Sequence, residues 1–463
     1  MIPSSKYYFA EEFIMKVVIV GCTHAGVAAA KAIRHDHPEA EVLIYERDDN
    51  VSFLSCGIAL YLGGEVSRLE DMFYETPEHL RELGVHVRDQ HDVLRIDSEQ
   101  HTLTVQNLRT AEVFTDTYDK LIMTTGSNVV VPPVLGVDDA RVLMCKDARQ
   151  AEAIFASAQN HHHVFIVGGG YVGVELAEAY ANTDHQVTLL QGHDQLLNNY
   201  VDQELSARVA DDLRAHGVDV QLETRVQDFE SDDDHDQVLI HTNKADYQAG
   251  LVIVCAGFVP NTDLLRGQVE LDRHGAIVTD DWLGTSDPDI LAAGDACAVR
   301  FNPTGRLAYI PLATNAERQG HIAGRNVASH VQRYPGTQGT TALRLFKSTL
   351  ATSGLTQRAA KRDGIAVRAV IYRANYRPDF MTPNAEITIK LVYGAADRRV
   401  LGAQIYCAHD ISQTANMFSL AIQNQNTIDD LAYVDTLFNP HFDQPVNYLN
   451  QVALLAVAQA DAE

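Results

Sequence analysis

One pattern occurs twice in this chain and restricts its fold more than any other. The apolar run KVVIV (16–20) leads into Gly21-Cys22-Thr23-His24-Ala25-Gly26 and then the helix-forming AAAKAIRH. A second run, HVFIV (163–167), leads into Gly168-Gly169-Gly170-Tyr171-Val172-Gly173 and then VELAEAYA. Apolar runs of this length suit strands buried in a parallel sheet. The glycines let backbone approach a pyrophosphate at a helix N-terminus, whose free N–H groups attract anions. One such loop is weak evidence, because glycines also serve ordinary turns. Two copies, each between a strand and a helix, predict two dinucleotide-binding βαβ units rather than a duplication without ligand. Thr23 stands where a middle glycine is expected, so the first loop is expected to be slightly less tight.

The ribose contacts are read next. The strand EVLIY (41–45) ends at Glu46, 20 residues after Gly26, where an acid binds a ribose hydroxyl. The matching strand QVTLL (186–190) ends in Gln191-Gly192-His193 instead. Asp194 comes late, and neither Lys nor Arg is near in sequence. A carboxylate there would bind the ribose of NAD and repel the 2′-phosphate of NADP. Its absence predicts that NADPH is accepted, with His193 as a donor to the phosphate. The competing reading is Gln191 hydrogen-bonding a plain ribose.

The rest of the chain falls into place around the two units. YDKLIMTTGS (118–127) and LVIVCAGFVPNTDLL (251–265) are matched strand-plus-glycine segments, one after each unit. A short strand, a turn and Gly294-Asp295 follow, then a helix over 310–328 with proline at its start. From about 340 the pattern changes to alternating strands (ITIKLVY, RVLGAQIY) and two helices (ISQTANMFSLAIQ, NYLNQVALLAVAQ) without a glycine-rich loop. That predicts a separate α+β assembly unit.

Charge and cysteines exclude other classes. Lys+Arg 36 against Asp+Glu 62 gives a formal charge of −26, which disfavours nucleic acid and anionic membrane surfaces. No stretch approaches the ~18 apolar residues of a membrane span. The start MIPSSKYYFAEEF lacks a secretory pattern, and residues 1–14 are expected to form a loose tail. Six cysteines lie far apart without zinc or redox spacing, which predicts a reducing cytoplasm. No metal site is expected. His161–His163 cannot converge on one ion from a strand and read as a solvated loop. The acidic run 231–236 lacks the glycine and distal glutamate of a calcium loop and reads as an exposed turn.

In their order, GCTHAG, SFLSCGIALYLGG (52–64), TTG (124–126), GGGYVG, CAG (255–257), AAGD (292–295) and DTLFNPHFDQPVNYLN (435–450) resemble the flavoprotein disulfide reductases with two dinucleotide-binding domains. The single-cysteine segment and His24 point to the branch that holds NADH oxidase, NADH peroxidase and CoA-disulfide reductase. Within it, the water-forming NAD(P)H oxidases of lactic acid bacteria are the most similar. The resemblance implies an α/β fold: two Rossmann-like dinucleotide-binding domains plus a C-terminal α+β dimerisation domain. FAD would be held by the discontinuous segments 15–132 and 262–338, NAD(P)H by 133–261, and a homodimer by 339–463.

What the resemblance implies for residues is specific. Cys56 is the redox cysteine that cycles between thiolate and sulfenic acid, with His24 beside it. Tyr171 covers the nicotinamide face until the dinucleotide enters, Glu175 lies near that face, and Phe438 comes from the partner subunit. FAD is bound by Gly21, Thr23, His24, Ala25, Gly26, Glu46, Arg47, Ser55, Cys56, Thr125, Gly126, Leu312, Ala313 and Thr314, with Asp295 on its ribityl chain. NADH or NADPH is bound by Gly168, Gly170, Tyr171, Val172, Gly173, Gln191, Gly192, His193 and Gly257. The implied reaction is four-electron reduction of O2 to water.

The residues support that chemistry independently. Disulfide reductases with a dithiol carry C-x-x-x-x-C, but the residue five after Cys56 is Tyr61. A lone cysteine can instead be oxidised by peroxide to sulfenic acid and reduced again. The attacking form is the thiolate, so a depressed pKa is expected, supplied by a helix beginning near Gly57 and by the flavin edge. His24 would donate a proton or, charged, stabilise the thiolate. Cys22, Cys145, Cys255, Cys297 and Cys407 read as structural thiols. Three other readings stay open. NADH peroxidase shares these residues. CoA-disulfide or persulfide reduction is weakened by Phe438 and the acidity. A redox-sensing flavoprotein would use Cys56 as sensor and the C-terminal unit as interaction module.

Overall fold

The computed structural model describes residues 14–462. The tail expected over 1–14 lies outside the described residues except for Ile14. The two glycine-rich segments nucleate two separate parallel sheets. Lys16–Val20 is central in the first, ordered Ile290–Ala292, Lys120–Met123, Lys16–Val20, Glu41–Tyr45, Val85–Arg88. His163–Val167 is central in the second, ordered Asp219–Gln221, Gln186–Leu190, His163–Val167, Leu251–Val254, Val142–Met144. The strand Ile290–Ala292 joins the first sheet only after the second is complete, so the chain leaves the first unit and returns to it. Each unit also carries a three-stranded antiparallel meander before a flanking strand. One is His91–Asp97, Thr102–Asn107 and Val113–Thr117; the other is Val226–Asp232, Gln237–Thr242 and Tyr247–Ala249. The acidic run forms the hairpin turn of the second meander, where Asp233 pairs with Arg141 at 2.8 Å.

Both glycine loops solve one geometric problem in the same way. Gly21 and Gly168 sit at φ +102° and +112°, and a Cβ on either would meet a backbone oxygen, of Thr124 or Cys255, at 2.4 Å. Gly26 and Gly173 let their helices pass the loop, since a Cβ there would lie 2.0 and 1.9 Å from the oxygens of Gly21 and Gly168. The helices that follow are His24–Asp36 and Tyr171–Ala181. The later helix Ala313–Arg325 lies against the first of them. Pro311 precedes its N-cap Leu312 and so stands just outside the helix rather than at its start.

The C-terminal unit is a five-stranded antiparallel sheet, Thr341–Leu345, Ser348–Gly354, Val400–Cys407, Glu386–Gly394, Val367–Asn375. Ser412–Gln423, Ile428–Ala432 and Tyr448–Asp461 pack against it around Phe418, Ile389 and Val452. The sequence pattern predicts two strands and two helices here; of the added strands, Thr341–Leu345 and Val367–Asn375 are half-buried and Ser348–Gly354 is buried but rich in Ser and Thr, so all three give a weaker apolar pattern, and the added helix Ile428–Ala432 has only five residues. One segment crosses between units. Phe53, Ile58, Leu62, Leu69 and Met72, which flank Cys56, are buried in the core of the second sheet. The lone cysteine is thereby held at the seam. Among the described residues no helix is long and apolar enough to cross a membrane.

Candidate active site

A cavity of about 1850 Å³ runs along this seam. Glu46, Arg47, the loop 21–25, Ser55, Cys56, Tyr171 and Glu175 line it. Thr125, Gly126, Gly170, Val172, Gly257, Asp295, Leu312 and Ala313 also line it. Eight of the sequence-predicted residues do not. Gly26, Gly168 and Gly173 lie behind the loops as packing contacts, and Thr314 is exposed off the cavity. Gln191 is buried elsewhere, while Gly192 and His193 line a second cleft of about 430 Å³. Phe438 is also absent from the cavity of its own chain. It is exposed on the C-terminal unit beside Leu437 and Tyr433.

The cavity is built to receive phosphates. Thr23 and Gly170, the N-caps of the two glycine-loop helices, make no side-chain cap hydrogen bond, and neither helix has an acid in its first turn. Asp147, Thr356 and Asn447 cap other helices with their side chains. The uncapped N–H groups are therefore free for an anion. Glu46 ties the loop to the ribose end. Its Oε2 accepts from the Cys22 N–H at 2.6 Å and its Oε1 from the Asp48 N–H at 2.9 Å. Burial raises its carboxyl to about 6. Asp295 accepts from Ser127 Oγ at 2.7 Å, and Lys146 Nζ donates to that hydroxyl at 2.8 Å. Lys146 lies 4.1 Å from the centre of the Phe258 ring, and burial lowers its pKa. Neither Lys146 nor Ser127 is among the site residues read from the sequence: Lys146 sits in a loop with no local motif, Ser127 opens the short strand Ser127–Val129 just after the TTG segment, and only the fold brings them to Asp295.

At the reactive end the structure revises two expectations. Cys56 is exposed, while Cys22, Cys145, Cys297 and Cys407 are buried and Cys255 is half-buried. The Cys56 thiol is nevertheless held above its ordinary pKa, first by burial and then by the charge of Glu175. The direction is opposite to the depression expected from a helix start and the flavin edge together; the helix present is short, a single turn at Ser55–Gly57 leading into the five residues Ile58–Leu62. His24 is the second revision. Burial lowers its pKa, against the opposing charge of Asp295, so the imidazole is neutral at pH 7 rather than a charged neighbour. Its Nε2 is buried without a hydrogen-bond partner. The ring stacks on Tyr74 at 5.0 Å, an aromatic partner the sequence did not single out. Burial, then Glu317, Cys22, Glu75 and Cys56, push the Tyr74 phenol up, which places that ring within electrostatic reach of Cys56. Glu175 is raised to about 7 by burial and by Glu178. Tyr171 lies 4.4 Å from Tyr200, with its hydroxyl 3.4 Å from Thr352 Oγ1 of the C-terminal sheet.

The second cleft corrects the reading of the strand end. Gln191 is buried, and its Nε2 donates to the Gln195 carbonyl at 3.1 Å, so one of its amide hydrogens is already engaged. A cation is near after all: the fold brings Arg225 over Gly192 from the segment before the second meander. The histidine run divides. His163 begins a strand, with Nε2 3.0 Å from Thr188 Oγ1, while His161 and His162 precede it as loop.

Two phosphate-receiving loops opening on one cavity with a single exposed thiol define a dinucleotide-dependent redox enzyme. The chain belongs to the pyridine nucleotide-disulphide oxidoreductases: residues 15–320 match that family, and residues 342–448 match its dimerisation domain. It is an FAD-dependent oxidoreductase with NADH or NADPH as co-substrate. An NADH oxidase from Enterococcus faecalis is 46% identical over 96% of this chain and 99% of its own. The structure of a water-forming NADH oxidase from Lactobacillus brevis bound to NADH has a TM-score of 0.95 at 46% identity, covering 97% of this chain and 99% of that one. An engineered water-forming NADPH oxidase bound to NADPH gives the same TM-score, identity and coverage.

Proposed function

We propose that this chain is a water-forming NAD(P)H oxidase acting as a cytoplasmic homodimer. The observation that carries the reading is Cys56, an exposed lone thiol in the cavity that both dinucleotide loops open on. Bound here, FAD would supply hydride acceptance from NAD(P)H and electron delivery to O2, giving H2O2. The residues named above would hold it: the uncapped loop 21–25 at its phosphates, Glu46 at its ribose, and Asp295 with Lys146 further along.

The protein's own part is proton and peroxide chemistry. Cys56 rests as a thiol because its pKa is raised. His24, neutral and with a buried free Nε2, accepts the thiol proton. The thiolate sulfur attacks H2O2: an S–O bond forms, the O–O bond breaks, and the leaving hydroxide takes the proton and departs as water. Cys56 is left as sulfenic acid. Two electrons from a second NAD(P)H and two protons return it to the thiol and release the second water. The sum is 2 NAD(P)H + 2 H+ + O2 → 2 NAD(P)+ + 2 H2O. Tyr171 guards the nicotinamide side, and Glu175, protonated below about pH 7, keeps that side uncharged.

Assembly follows from the C-terminal unit. Tyr433, Leu437, Phe438 and Phe442 are exposed together on one stretch, and such apolar stretches mark interfaces. A partner covering this stretch would supply Phe438 to the neighbouring cavity. The test is stoichiometry: about one O2 consumed per two NAD(P)H with no H2O2 supports the reading. Accumulating H2O2 refutes water formation. Turnover only on added H2O2 identifies a peroxidase, and turnover only on CoA disulfide identifies a disulfide reductase.

A further inference from the structure

The cleft beyond the strand Gln186–Leu190 has no role in the chemistry above. In a dinucleotide-binding unit the pyrophosphate lies at the glycine-loop helix and the adenosine ribose at the end of the next strand. A carboxylate there selects the free 2′-hydroxyl of NAD, whereas a nearby cation accommodates the 2′-phosphate of NADP. Here the loop and that strand end are directly bonded, the Gly168 N–H donating to the Leu190 carbonyl at 2.8 Å. Residues 191–194 offer no free carboxylate, and the acid facing the cleft is the exposed Glu223 on its other rim. Gln191 is buried, its Nε2 donating to the Gln195 carbonyl. Asp194 is engaged by Arg358, whose Nη1 and Nη2 each lie 3.1 Å from Oδ1.

Arg225 faces this position. Its Nε lies 3.8 Å from where a Cβ on Gly192 would stand, an ordinary contact distance that places the side chain directly over this residue. The guanidinium makes no side-chain hydrogen bond or ion pair among the described residues, and it is exposed. Its backbone is held: the Arg225 N–H donates to Asn243 Oδ1 at 2.6 Å, and Asn243 Nδ2 donates to the Glu223 carbonyl at 3.0 Å. The Glu223 N–H donates to the His193 carbonyl at 2.8 Å, which joins the two rims of the cleft. A free, positioned guanidinium beside a strand end without a free acid matches a phosphate monoester.

We propose that this cleft receives the 2′-phosphate of NADPH, with Arg225 as its cation and His193 as a second donor. The proposal rests on the reading of the chain as an NAD(P)H-dependent enzyme. The Glu223 carboxylate on the rim opposes the phosphate and sets how far the preference goes.

The test uses the holoenzyme and two readouts. The first is the ratio of kcat/KM with NADPH to kcat/KM with NADH. Arg225→Ala should lower this ratio about tenfold to a hundredfold, through KM rather than kcat, the size expected for a lost charge-assisted bond. Arg225→Lys should retain part of it, and Glu223→Gln should raise it. The second readout is calorimetric binding of 2′,5′-ADP against 5′-ADP. Arg225→Ala should weaken only the first. An unmoved ratio, or equal losses for NADH and NADPH, overturns the proposal. Arg225-dependent binding of 2′,5′-ADP in a protein that turns over neither dinucleotide sustains the cleft and overturns the oxidase reading instead.

Discussion

Glu175 offers a perturbation whose size can be worked from the structure. Its carboxyl ionises at about 7 in the folded chain, against an ordinary 4.5, because burial and Glu178 disfavour the charge. That difference corresponds to about 3 kcal/mol. In the unfolded chain the group releases its proton near 4.5. Between that point and about 7 the folded state binds the extra proton, so stability falls as pH rises through the window and levels off above it. Glu175→Gln keeps the shape and removes the titration. Urea unfolding of both proteins, subtracted at each pH, cancels every other group. The wild type should lose about 2–3 kcal/mol relative to the variant between about pH 5 and about pH 8. A difference that stays flat over that range refutes a raised Glu175. The same substitution probes the thiol. Because the Glu175 charge helps hold the Cys56 thiol up, the variant should be alkylated faster by iodoacetamide at about pH 8, where only Cys56 among the six cysteines is exposed. An unchanged rate would break the link between the two residues.

Three further outcomes are expected. Cys56→Ser should keep oxidising NAD(P)H but release H2O2 in place of water; a peroxide assay returning none would remove the sulfenic acid from the cycle. Gly26→Val should abolish flavin binding, since even a Cβ at 26 lies 2.0 Å from the Gly21 oxygen. Visible absorbance of the purified variant reads this, and a normal flavin spectrum would count against the loop's role. Leu437→Asp with Phe442→Asp places charges on side chains 68% and 65% exposed, so a monomer should tolerate them. Light scattering should then show the dimer dissociating; an intact dimer would place the interface elsewhere.

The parts of the fold that were legible are those where one rule acts alone. The strands at 16–20, 41–45, 163–167 and 186–190 are buried on both faces, and their apolar runs report that directly. The two meanders escaped notice because their strands are half-buried; Val113–Thr117 has no fully buried residue. Site residues divide the same way. His24, Cys56 and Glu46 lie in local motifs, whereas Lys146, Tyr74 and Arg225 reach their places only through contacts between distant segments. The thiol shows the limit of local inference most plainly. A helix start near Gly57 was visible in the sequence, but burial and the approach of Glu175 across the seam set the direction of the effect on Cys56.

The distribution of charge resolves an apparent conflict between the chain's acidity and its ligands. A formal −26 repels dinucleotide phosphates at long range. At ionic strengths near physiological, that repulsion is screened beyond about 8 Å, so what lies within the cavity decides binding. There the acids are placed or neutralised. Glu46 is tied to two backbone N–H groups, Glu175 keeps its proton to about pH 7, and Asp295 has Lys146 within 3.8 Å. The phosphates meet two uncapped helix ends instead. Outside the cavity, residues 191–194 at the other strand end offer no free carboxylate, and Arg225 faces them with Glu223 on the rim. Local selection by backbone dipoles and by guanidinium groups placed at the cavity and the cleft, rather than by net charge, is thus how an acidic chain takes two polyanionic ligands.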